Sequence, residues 1–455
     1  MKHPNIILCM CDQLRWCETG CYGHPSIRTP HIDRLAGNGV RFETAVSNTP
    51  LCMPARSTVL AGQYSRTCTG RLTNTNWSLA DGGGVMPSWP ESGRTVLPQA
   101  TLPECLQGQG YRTMAIGKWH IEAWPDKIGF DHYVIPANQH AYTAQRFCED
   151  GGPVFSPDGF SVNYERQRVE EFLNAQQGEE QPFFLYYNIS PPHMPLADAP
   201  ERYTRMYNRG DVVVRPNVDL SRPIENQHKR FLTYLWDYRY YRDHLPYTEN
   251  LPDEFDLLDL HAMYMGLTSW VDDMLGAVMA ELTRCGLAEE TIVVFTSDHG
   301  DNLGSHGLMG KGSLNEESIR VPMVFAGPGI KTATVSQQIV GLVDLAPTLL
   351  ELAGAQAPAH MQGRSLAASL CGKEDGESPP VFIETEAHGI AVRTLDSLLA
   401  LPWATPRHLG SRPHQFYQLK GDPYELQNRS EPLAPEADRL EKLLRDYDKN
   451  TPWLS

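Results

Sequence analysis

The stretch "TIVVFTSDHGD" (291–301) joins a β-rich run to a cluster of polar and charged side chains. Residues 291–297 are largely apolar on both faces, which is typical of a strand in a parallel sheet that helices cover on both sides. Comparable runs occupy 5–10, 112–117, 183–188 and 322–327. Helical periodicity is clearest at 257–285 and 343–354. The chain therefore predicts an α/β fold with a central, mostly parallel sheet covered by helices.

The composition changes after about residue 370, and the predicted elements become short. Four strand-like runs follow, "VFIETE", "IAVRT", "SLLAL" and "HQFYQLKG", and then a polar helix, "APEADRLEKLLRDYDKN". This order predicts a small antiparallel sheet with a terminal helix. We expect a large domain that holds the chemistry over residues 1–370, and a C-terminal subdomain over residues 371–455.

The composition also narrows the class of protein. Of 455 residues, 41% are hydrophobic and 21% are charged, as in ordinary soluble enzymes. The formal net charge of −16 disfavours nucleic acid and anionic membranes as partners. Ten cysteines are too few for a disulfide scaffold in a chain of this length, and the apolar run before Asp12 is too short for a signal peptide or a membrane span. We therefore expect a cytoplasmic protein, unless a leader has been removed.

Polar groups follow four of the predicted strands at the points where the strands end. They are Asp12 and Gln13 after the first strand, Lys118 and His120 after the second, His193 after the third, and Asp298, His299 and Asp301 after the fourth. Ligands of open α/β sheets bind beyond the carboxyl ends of the strands, so we expect these groups to converge. Each alone is more often a structural cap than a ligand. Together, the carboxylates, the amide and the imidazole suit a hard divalent cation such as calcium or magnesium.

Cationic side chains and hydrogen-bond donors lie in and near the same motifs. They are Arg56, Lys118, His120, His193 and Lys311. Such groups are what an anionic tetrahedral ligand requires. The site would therefore be basic, although the chain as a whole is acidic.

A thiol lies just before a predicted helix in "LCMPARSTVLAG" (51–62). The start of a helix carries unpaired N–H groups and positive potential, which lower the pKa of a nearby thiol. Cys52 is accordingly a candidate reactive group on a surface turn, with Arg56 one turn further along. The stretch on its own favours the alternative, a small buried cysteine that packs beside a turn.

Taken together, these motifs resemble the type I, formylglycine-dependent sulfatases of the alkaline phosphatase superfamily. "CMPAR" (52–56) matches the C-x-P-x-R core of that family, and "PNIILCMCDQLR" resembles its N-terminal metal strand. Later segments resemble the family in the same order, namely "GYRTMAIGKWH" (110–120), "PPHMP" (191–195), "TSDHGDNLGSHGLMGKGSLNEESIRVPMVF" (296–325) and "FYQLKGDPYELQN" (416–428). The resemblance implies the alkaline-phosphatase-like α/β sandwich with a smaller C-terminal subdomain. It also implies hydrolysis of a small-molecule sulfate ester with an aryl, alkyl or sugar leaving group.

The resemblance further implies the chemistry of Cys52. In this family a formylglycine-generating enzyme oxidises the cysteine, and Pro54 and Arg56 match the core that this enzyme recognises. One hydroxyl of the hydrated aldehyde attacks sulfur and the alcohol leaves, and the second hydroxyl then expels sulfate and regenerates the aldehyde. Arg56 would steady the charged intermediate. Lys118 and Lys311 would grip the sulfate oxygens.

Two histidines and a cation complete the site that the resemblance implies. His120 would orient the nucleophile or aid its second step, and His193 would protonate or stabilise the leaving oxygen. One divalent cation, most often calcium, would be held by the modified Cys52 together with Asp12, Asp298 and His299.

One residue departs from the common pattern. Many sulfatases carry a second aspartate where this chain has Gln13. An amide oxygen can ligate calcium, so Gln13 is a further candidate ligand. The Asp-Gln pair also occurs in related phosphonate monoester hydrolases, which makes phosphonate monoester or phosphodiester hydrolysis the nearest alternative. The segment "GKWH" (117–120) has the sulfatase form and favours sulfate esters.

Two alternatives lie outside this chemistry. If Cys52 is never oxidised, the chain would be a silent binding protein for sulfated ligands. Redox sensing by the same thiol would need a resolving cysteine. The sequence leaves the oligomeric state open, and also the natural substrate, because the leaving-group pocket would lie in variable loops at 71–95, 136–165 and 205–250.

Overall fold

The computed structural model describes residues 3–74, 94–136, 140–236, 251, 254–373, 378–430 and 435–454. The strands predicted at 112–117 and 291–297 have these same bounds, and those predicted at 5–10 and 183–188 extend to Asp12 and Pro192. In chain order the strands are β1 Asn5–Asp12, β2 Gly39–Val46, β3 Arg112–Gly117, β4 His132–Pro136, β5 Phe147–Glu149, β6 Phe183–Pro192, β7 Thr291–Ser297, β8 Arg320–Val321, β9 Met323–Ala326, β10 Thr334–Gly341, β11 Val381–Thr385, β12 Gly389–Arg393, β13 Ser397–Leu401, β14 Trp403–Thr405, β15 His408–Leu409 and β16 Gln415–Gln418.

The larger sheet has its strands in the order β10-β2-β9-β7-β1-β6-β3-β4-β5, and β8 also pairs with β2. Neighbouring strands from β7 to β4 all run parallel. Strands β1 and β7 are buried along their whole length. Because the four strands β7, β1, β6 and β3 are adjacent and parallel, their carboxyl ends lie side by side at one edge. The predicted central, mostly parallel sheet is confirmed.

Strand β9 corrects one part of that prediction. Its sequence is as apolar as that of the parallel strands, but β9 runs antiparallel to both of its neighbours, β7 and β2. An inner position in the sheet buries both faces of a strand whichever way it runs. Apolar composition therefore predicts the burial of this strand and not its direction.

Helices cover both faces of the larger sheet. In chain order, the helices of the described residues are α1 Pro30–Gly37, α2 Cys52–Ala61, α3 Ser65–Cys68, α4 Leu102–Gln107, α5 Ser161–Ala175, α6 Glu201–Thr204, α7 Gln227–Trp236, α8 Leu257–Arg284, α9 Glu316–Ile319, α10 Leu345–Leu352, α11 Ala367–Leu370 and α12 Pro435–Asn450, of which α12 covers the smaller sheet. Alternate side chains of β1 enter two different cores. One core also contains side chains of α1, α5 and α8, and the other contains side chains of α2, α4 and α10. The sheet is thus the middle layer of an α/β sandwich.

Helix α8 confirms the helix predicted at 257–285. Asp256 and Asp259 form a capping box at its first turn. Gly266 allows α8 to pack closely on α6, because a Cβ atom at this position would lie 1.9 Å from the backbone oxygen of Tyr203. None of the helices in the described ranges has both the length and the apolar content that crossing a bilayer requires.

The C-terminal region forms the small antiparallel sheet that the sequence predicts. Strands β11, β12, β13 and β16 lie in this order, each antiparallel to the next. Helix α12 packs on this sheet through Leu440 and Leu444, and Tyr64 and Val343 from the earlier part of the chain belong to the same apolar cluster. The small sheet is therefore attached to the large one by a shared core. The boundary between residues 370 and 371 stays a prediction.

Candidate active site

The polar groups at four strand ends meet at one edge of the larger sheet. Lys118, which follows β3, places Nζ 2.6 Å from Oδ2 of Asp12 at the end of β1. His193, which follows β6, has Nε2 3.9 Å from Oδ1 of Asp12. His299, two residues after β7, has Nε2 3.8 Å from the same oxygen. The structure thus brings together groups from β1, β3, β6 and β7, with Asp12 at their centre.

Two backbone turns position these side chains. Gly117 ends β3 with a φ of +87°, and a Cβ atom there would lie 2.0 Å from the backbone oxygen of Asn188. Glycine alone avoids both penalties at this position, directly before Lys118. Gln13 has a φ of +68° directly after Asp12. Its backbone N–H donates to Oδ1 of Asp298 at 3.1 Å and thereby joins the ends of β1 and β7.

Cys52 is the first residue of α2 and follows Leu51 in extended conformation. The predicted helix start is confirmed, but the predicted surface turn is wrong, since Cys52 is 1% exposed and every residue of α2 is buried. The reason is that α2 belongs to the same apolar core as β1 and α10. The N–H of Met53 donates to Oδ1 of Asn74 at 3.0 Å, which satisfies one of the free donors of the helix start.

The Sγ atom of Cys52 faces charged groups. Nζ of Lys311 is 3.1 Å away, Nε2 of His299 is 3.3 Å away, and Nζ of Lys118 is 3.8 Å away. Burial raises the pKa of this thiol, but the two lysines and His299 lower the pKa by more, so it lies well below its ordinary value. A cysteine that only fills space beside a turn would not have these neighbours. The structure therefore favours a reactive group at Cys52.

Asp12, Cys52, Asp298 and His299 form a group that could hold a metal ion, because their ligand atoms all lie within 4.8 Å of one another. Both carboxylates are fully buried, and Nη2 of Arg56 lies 3.0 Å from Oδ2 of Asp12 and 2.9 Å from Oδ2 of Asp298. Burial and then the charge of Asp12 raise the pKa of Asp298 to about 6. Burial and the charge of Cys52 raise the pKa of Asp12, but Lys118, His193 and Lys311 lower it by more, so it lies well below its ordinary value. The cost of burying the two carboxylates together therefore falls on Asp298.

The imidazole of His299 is oriented by the backbone. Its Nδ1 donates to the backbone oxygen of Gly300 at 2.9 Å, so Nε2 is the atom that faces Asp12 and Asp298, at 3.8 and 3.5 Å. Histidines that bind metals commonly donate from their other nitrogen in this way. The two carboxylates and the imidazole therefore fit a divalent cation, and calcium accepts such an oxygen-rich set.

Gln13 contacts other groups in the structure. Its Oε1 accepts a hydrogen bond from Nζ of Lys311 at 2.8 Å, and its Nε2 donates to Asp301. Asp301 is fully buried and also accepts from the hydroxyl of Tyr234 at 2.8 Å and the N–H of Leu303 at 2.8 Å. Asp301 thus holds the loop after β7 in place. Ligation of the cation by Gln13 stays a prediction.

Arg56 is held by a residue that sequence reasoning missed. Its Nη1 donates to Oδ1 of Asn188 at 2.6 Å and to the backbone oxygen of Lys118 at 3.2 Å. Asn188 is fully buried within β6. A polar amide in the otherwise apolar run "FFLYYN" was the clue in the sequence.

His193 is stacked against a second histidine that was also missed. Its Nδ1 donates to the backbone oxygen of Met194 at 2.6 Å, so Nε2 faces the site. The ring of His140 lies on it, with 4.1 Å between centroids and 25° between planes. Burial, then Lys311 and Lys118, lower the pKa of His193 to about 4. No motif marks His140, which lies in the predicted variable loop at 136–165.

The fixed positive charge of the site comes from Arg56, Lys118 and Lys311. His120 is buried and forms a side-chain hydrogen bond with Cys52, and burial lowers the pKa of its imidazole. Three cationic side chains against two carboxylates give the local basicity that an anionic ligand needs in an acidic chain. The loops predicted to bind the leaving group fall partly outside the described residues, at 75–93, 137–139 and 237–250.

Comparison with known protein sequences identifies the family to which this chain is similar. A sequence model of the sulfatase family matches residues 4–355. The chain is similar to an ulvan-active sulfatase of Formosa agariphila, with 29% identity over 80% of this chain and 64% of that protein. It thus spans slightly less than two thirds of that relative. It is also similar to an N-acetylglucosamine-6-O-sulfatase of Bacteroides thetaiotaomicron, with 27% identity over 94% of this chain and 82% of that protein.

Solved structures share the fold along almost the whole chain. A protein in complex with its substrate, D-glucosamine-2-N,6-O-disulfate, matches with a TM-score of 0.80 and 26% identity over 99% of both chains. A phosphonate monoester hydrolase from Silicibacter pomeroyi matches with a TM-score of 0.72 and 22% identity, over 98% of this chain and 96% of that chain, which is a likeness of fold alone. Because the family model covers most of the chain, including all four strand ends of the site, this protein belongs to the sulfatase family.

Proposed function

We propose that this protein hydrolyses a sulfate monoester of a sugar, with a formylglycine made from Cys52 as the nucleophile and one calcium ion beside it. The observation that carries the proposal is the position of Cys52 at a helix start, with Sγ 3.1 Å from Nζ of Lys311 and 3.3 Å from Nε2 of His299. A nucleophile at this point adjoins both the cations that bind an anion and the donors that hold a metal.

Two groups would come from outside the unmodified chain. Asp12, Asp298 and His299 would hold the calcium ion, which supplies positive charge beside the nucleophile when bound. The hydrated aldehyde at Cys52 supplies two hydroxyls on one carbon, one to attack sulfur and one to release sulfate. A formylglycine-generating enzyme would be the partner that makes it, guided by Pro54 and Arg56 in "CMPAR".

The two lysines bind and orient the sulfate group. Nζ of Lys311 and Nζ of Lys118 lie 3.1 and 3.8 Å from Sγ of Cys52, so both reach oxygens of a sulfate placed against this residue. Arg56 fixes Asp12 and Asp298 in position, since its contacts with these carboxylates are wholly buried. His120 orients the nucleophile through its hydrogen bond with Cys52.

His193 acts on the leaving oxygen through Nε2. In the free site its pKa is lowered to about 4, by burial first and then by Lys311 and Lys118, so the imidazole is neutral at pH 7. A sulfate ester between the two lysines offsets their positive field. The pKa of His193 therefore rises on substrate binding, which lets Nε2 carry a proton to an alkoxide that would otherwise leave slowly.

The sugar leaving group is proposed from the relatives, which include a sulfatase named for N-acetylglucosamine and a structure that holds a sulfated glucosamine. The second candidate is hydrolysis of a phosphonate monoester or a phosphodiester, which Gln13 favours because it stands where many sulfatases carry an aspartate. Sulfate monoesters and phosphonate monoesters both carry one negative charge, so the charge of the site does not separate them. The segment at 117–120, with the form found in sulfatases, favours sulfate.

The assignment of the nucleophile predicts an aldehyde at Cys52 in active protein. After co-production with a formylglycine-generating enzyme, peptide mass spectrometry should find the aldehyde in proportion to the turnover of 4-nitrophenyl sulfate. Cys52→Ala should abolish turnover, whereas Cys105→Ala, at a partly exposed thiol on α4, should retain it. Full activity from protein that carries only the unmodified thiol at Cys52 would refute the assignment.

The cation site predicts unequal effects of two neighbouring substitutions. Calcium binds the native state alone, so calcium at about 100 times its Kd should stabilise the protein by about 2.7 kcal/mol. Asp298→Asn keeps the shape but removes a charge, and we expect it to lose most of the calcium-dependent rise in Tm. Gln13→Ala should lose less, because an amide contributes only a dipole. An unchanged calcium response in Asp298→Asn would show that the cation binds elsewhere.

The role of His193 predicts a dependence on the leaving group. His193→Ala should lower the turnover of sugar sulfates by ~100–1000-fold, equivalent to about 3–4 kcal/mol in the transition state. With 4-nitrophenyl sulfate the loss should be smaller, because 4-nitrophenolate leaves without a proton. His132→Ala, at an exposed histidine that pairs with Asp150, is the control and should change neither rate. Equal losses with both substrates would contradict the role as an acid.

A further inference from the structure

A second cluster of polar side chains lies where the C-terminal region contacts the loop after β7, and it shares no residue with the active site. His306 belongs to that loop, Glu317 to α9, and Glu425 to the segment after β16. Their ligand atoms lie within 4.8 Å of one another. Nε2 of His306 is 3.9 Å from Oε2 of Glu317 and 3.7 Å from Oε2 of Glu425.

The carboxylates of this cluster are buried and incompletely satisfied. Glu317 and Glu425 are 0% and 3% exposed. Within the described part of the chain, Oε2 of Glu317, Oε1 of Glu425 and Oδ1 of Asn217 have no hydrogen-bond partner. A buried acceptor without a partner costs about 1–3 kcal/mol, and more when it is charged. The unpaired Oε2 of Glu317 is also the atom that faces His306, and together with the unpaired oxygens of Glu425 and Asn217 it indicates a positively charged ligand.

The hydrogen bonds that the described residues do form hold the carboxylates in position, but they do not supply the missing partners of the unpaired oxygens. Arg215 donates to Oε1 of Glu317, the atom that does not face His306. Oε2 of Glu425 accepts from Nδ2 of Asn315 at 3.2 Å and from the N–H of Glu316 at 3.1 Å. In the described ranges, Glu425 has an ion-pair contact with His306 and with no lysine or arginine.

Asn217 lies beside the cluster and holds Glu317 in position. Its Nδ2 donates to Oε1 of Glu317 at 2.9 Å and to the backbone oxygen of Tyr424 at 3.2 Å, and it lies 3.0 Å from Nε2 of His306. These two acceptors use both hydrogens of the amide. Nε2 of His306 lies within reach of Oε2 of both glutamates, so one imidazole and two carboxylates surround a common point.

We propose that His306, Glu317 and Glu425 bind a divalent cation of the zinc type. One imidazole with two carboxylates is a donor set that zinc accepts. In a tetrahedral site with bonds of about 2.1 Å the ligand atoms are about 3.4 Å apart. The separations of 3.9 and 3.7 Å between His306 and the carboxylates need to shorten by only a few tenths of an ångström. A water completes the coordination.

The position of this site suits a structural role. His306 is 19% exposed, so the cation can enter from solvent. When bound, it would tie together the loop that leads to Lys311, helix α9 and the C-terminal segment that contains Glu425. The cation would therefore support a lysine of the active site without contacting the substrate.

A third cluster shows what a satisfied group of this composition looks like. Asp272 accepts from the N–H groups of His31 and Ile32, at 3.0 and 2.7 Å, and so caps the start of α1. Asp273, in the same cluster, accepts from the hydroxyl of Tyr203 at 2.5 Å. These carboxylates have protein donors and need no cation.

Zinc retention tests the proposal in an Asp298→Asn background, which weakens the active-site group and leaves the second cluster intact. The full chain, stripped with a chelator, is equilibrated with Zn²⁺, desalted and analysed for metal by mass spectrometry. We expect one equivalent of zinc in the background variant and about a tenth of that or less after Glu425→Gln or His306→Gln is added. Asp273→Asn is the matched control and should retain the full equivalent.

Two further measurements guard against misfolding and chance binding. Glu425→Gln keeps an oxygen that can accept from Asn315 and Glu316, so its Tm in chelator should equal that of the background variant. Co²⁺ in place of zinc should give the visible absorption of a four-coordinate site, and Glu425→Gln should remove it. Equal zinc contents in all variants, or no zinc retained by the background, would overturn the proposal, the latter in favour of a proton on Glu425. Neither result depends on turnover, so the proposed sulfatase function is tested separately.

Discussion

Two buried carboxylates, Asp12 and Asp298, are the constraint on which the rest of the site depends. Asp12 ends β1 and Asp298 directly follows the adjacent parallel strand β7. Both are fully removed from water and share one guanidinium, that of Arg56. Like charges this close are unfavourable in a low dielectric unless more positive charge is supplied. The carboxylates therefore explain why Lys118, Lys311 and a cation belong at this edge of the sheet. They also explain how a basic site persists in a chain with a net charge of −16.

The same edge explains the choice of nucleophile. Helix α2 is enclosed in the core, and its first residue lies where the strand ends meet. Cys52 thereby faces the two lysines and His299, which lower the pKa of its thiol against the effect of burial. The groups that would bind sulfate and those that would hold calcium thus both adjoin a single residue. That arrangement requires strands, helix and loops from most of the chain, so the fold and the site form together.

Much of this was predictable because the information is local. Strands that are buried on both faces, such as 112–117 and 291–297, can be recognised by their apolar composition. Polar residues directly after such strands lie at one edge of a parallel sheet. The motif around Cys52 also predicts the start of α2. The direction of β9 was not predictable from composition, because an inner strand is apolar in either direction.

Other features depend on contacts between distant segments. The burial of Cys52 follows from the packing of α2 against α10, which the sequence near Cys52 does not contain. His140 contacts His193 although the two lie far apart in the sequence, and Asp301 accepts a hydrogen bond from Tyr234 of a separate helix. Asn188 could have been found, because a buried strand seldom contains an amide without a specific partner.

The central claim is that these groups act on sulfate esters, and the most direct measurement is a comparison of kcat/KM for two substrates with the same leaving group. Purified protein that carries formylglycine would be assayed in parallel with 4-nitrophenyl sulfate and 4-nitrophenyl phenylphosphonate, with Cys52→Ala to show that both reactions use one site. A sugar sulfate in the same series would cover the proposed natural class. The account predicts a higher kcat/KM for sulfate esters than for the phosphonate. Faster cleavage of the phosphonate than of every sulfate tested would contradict it.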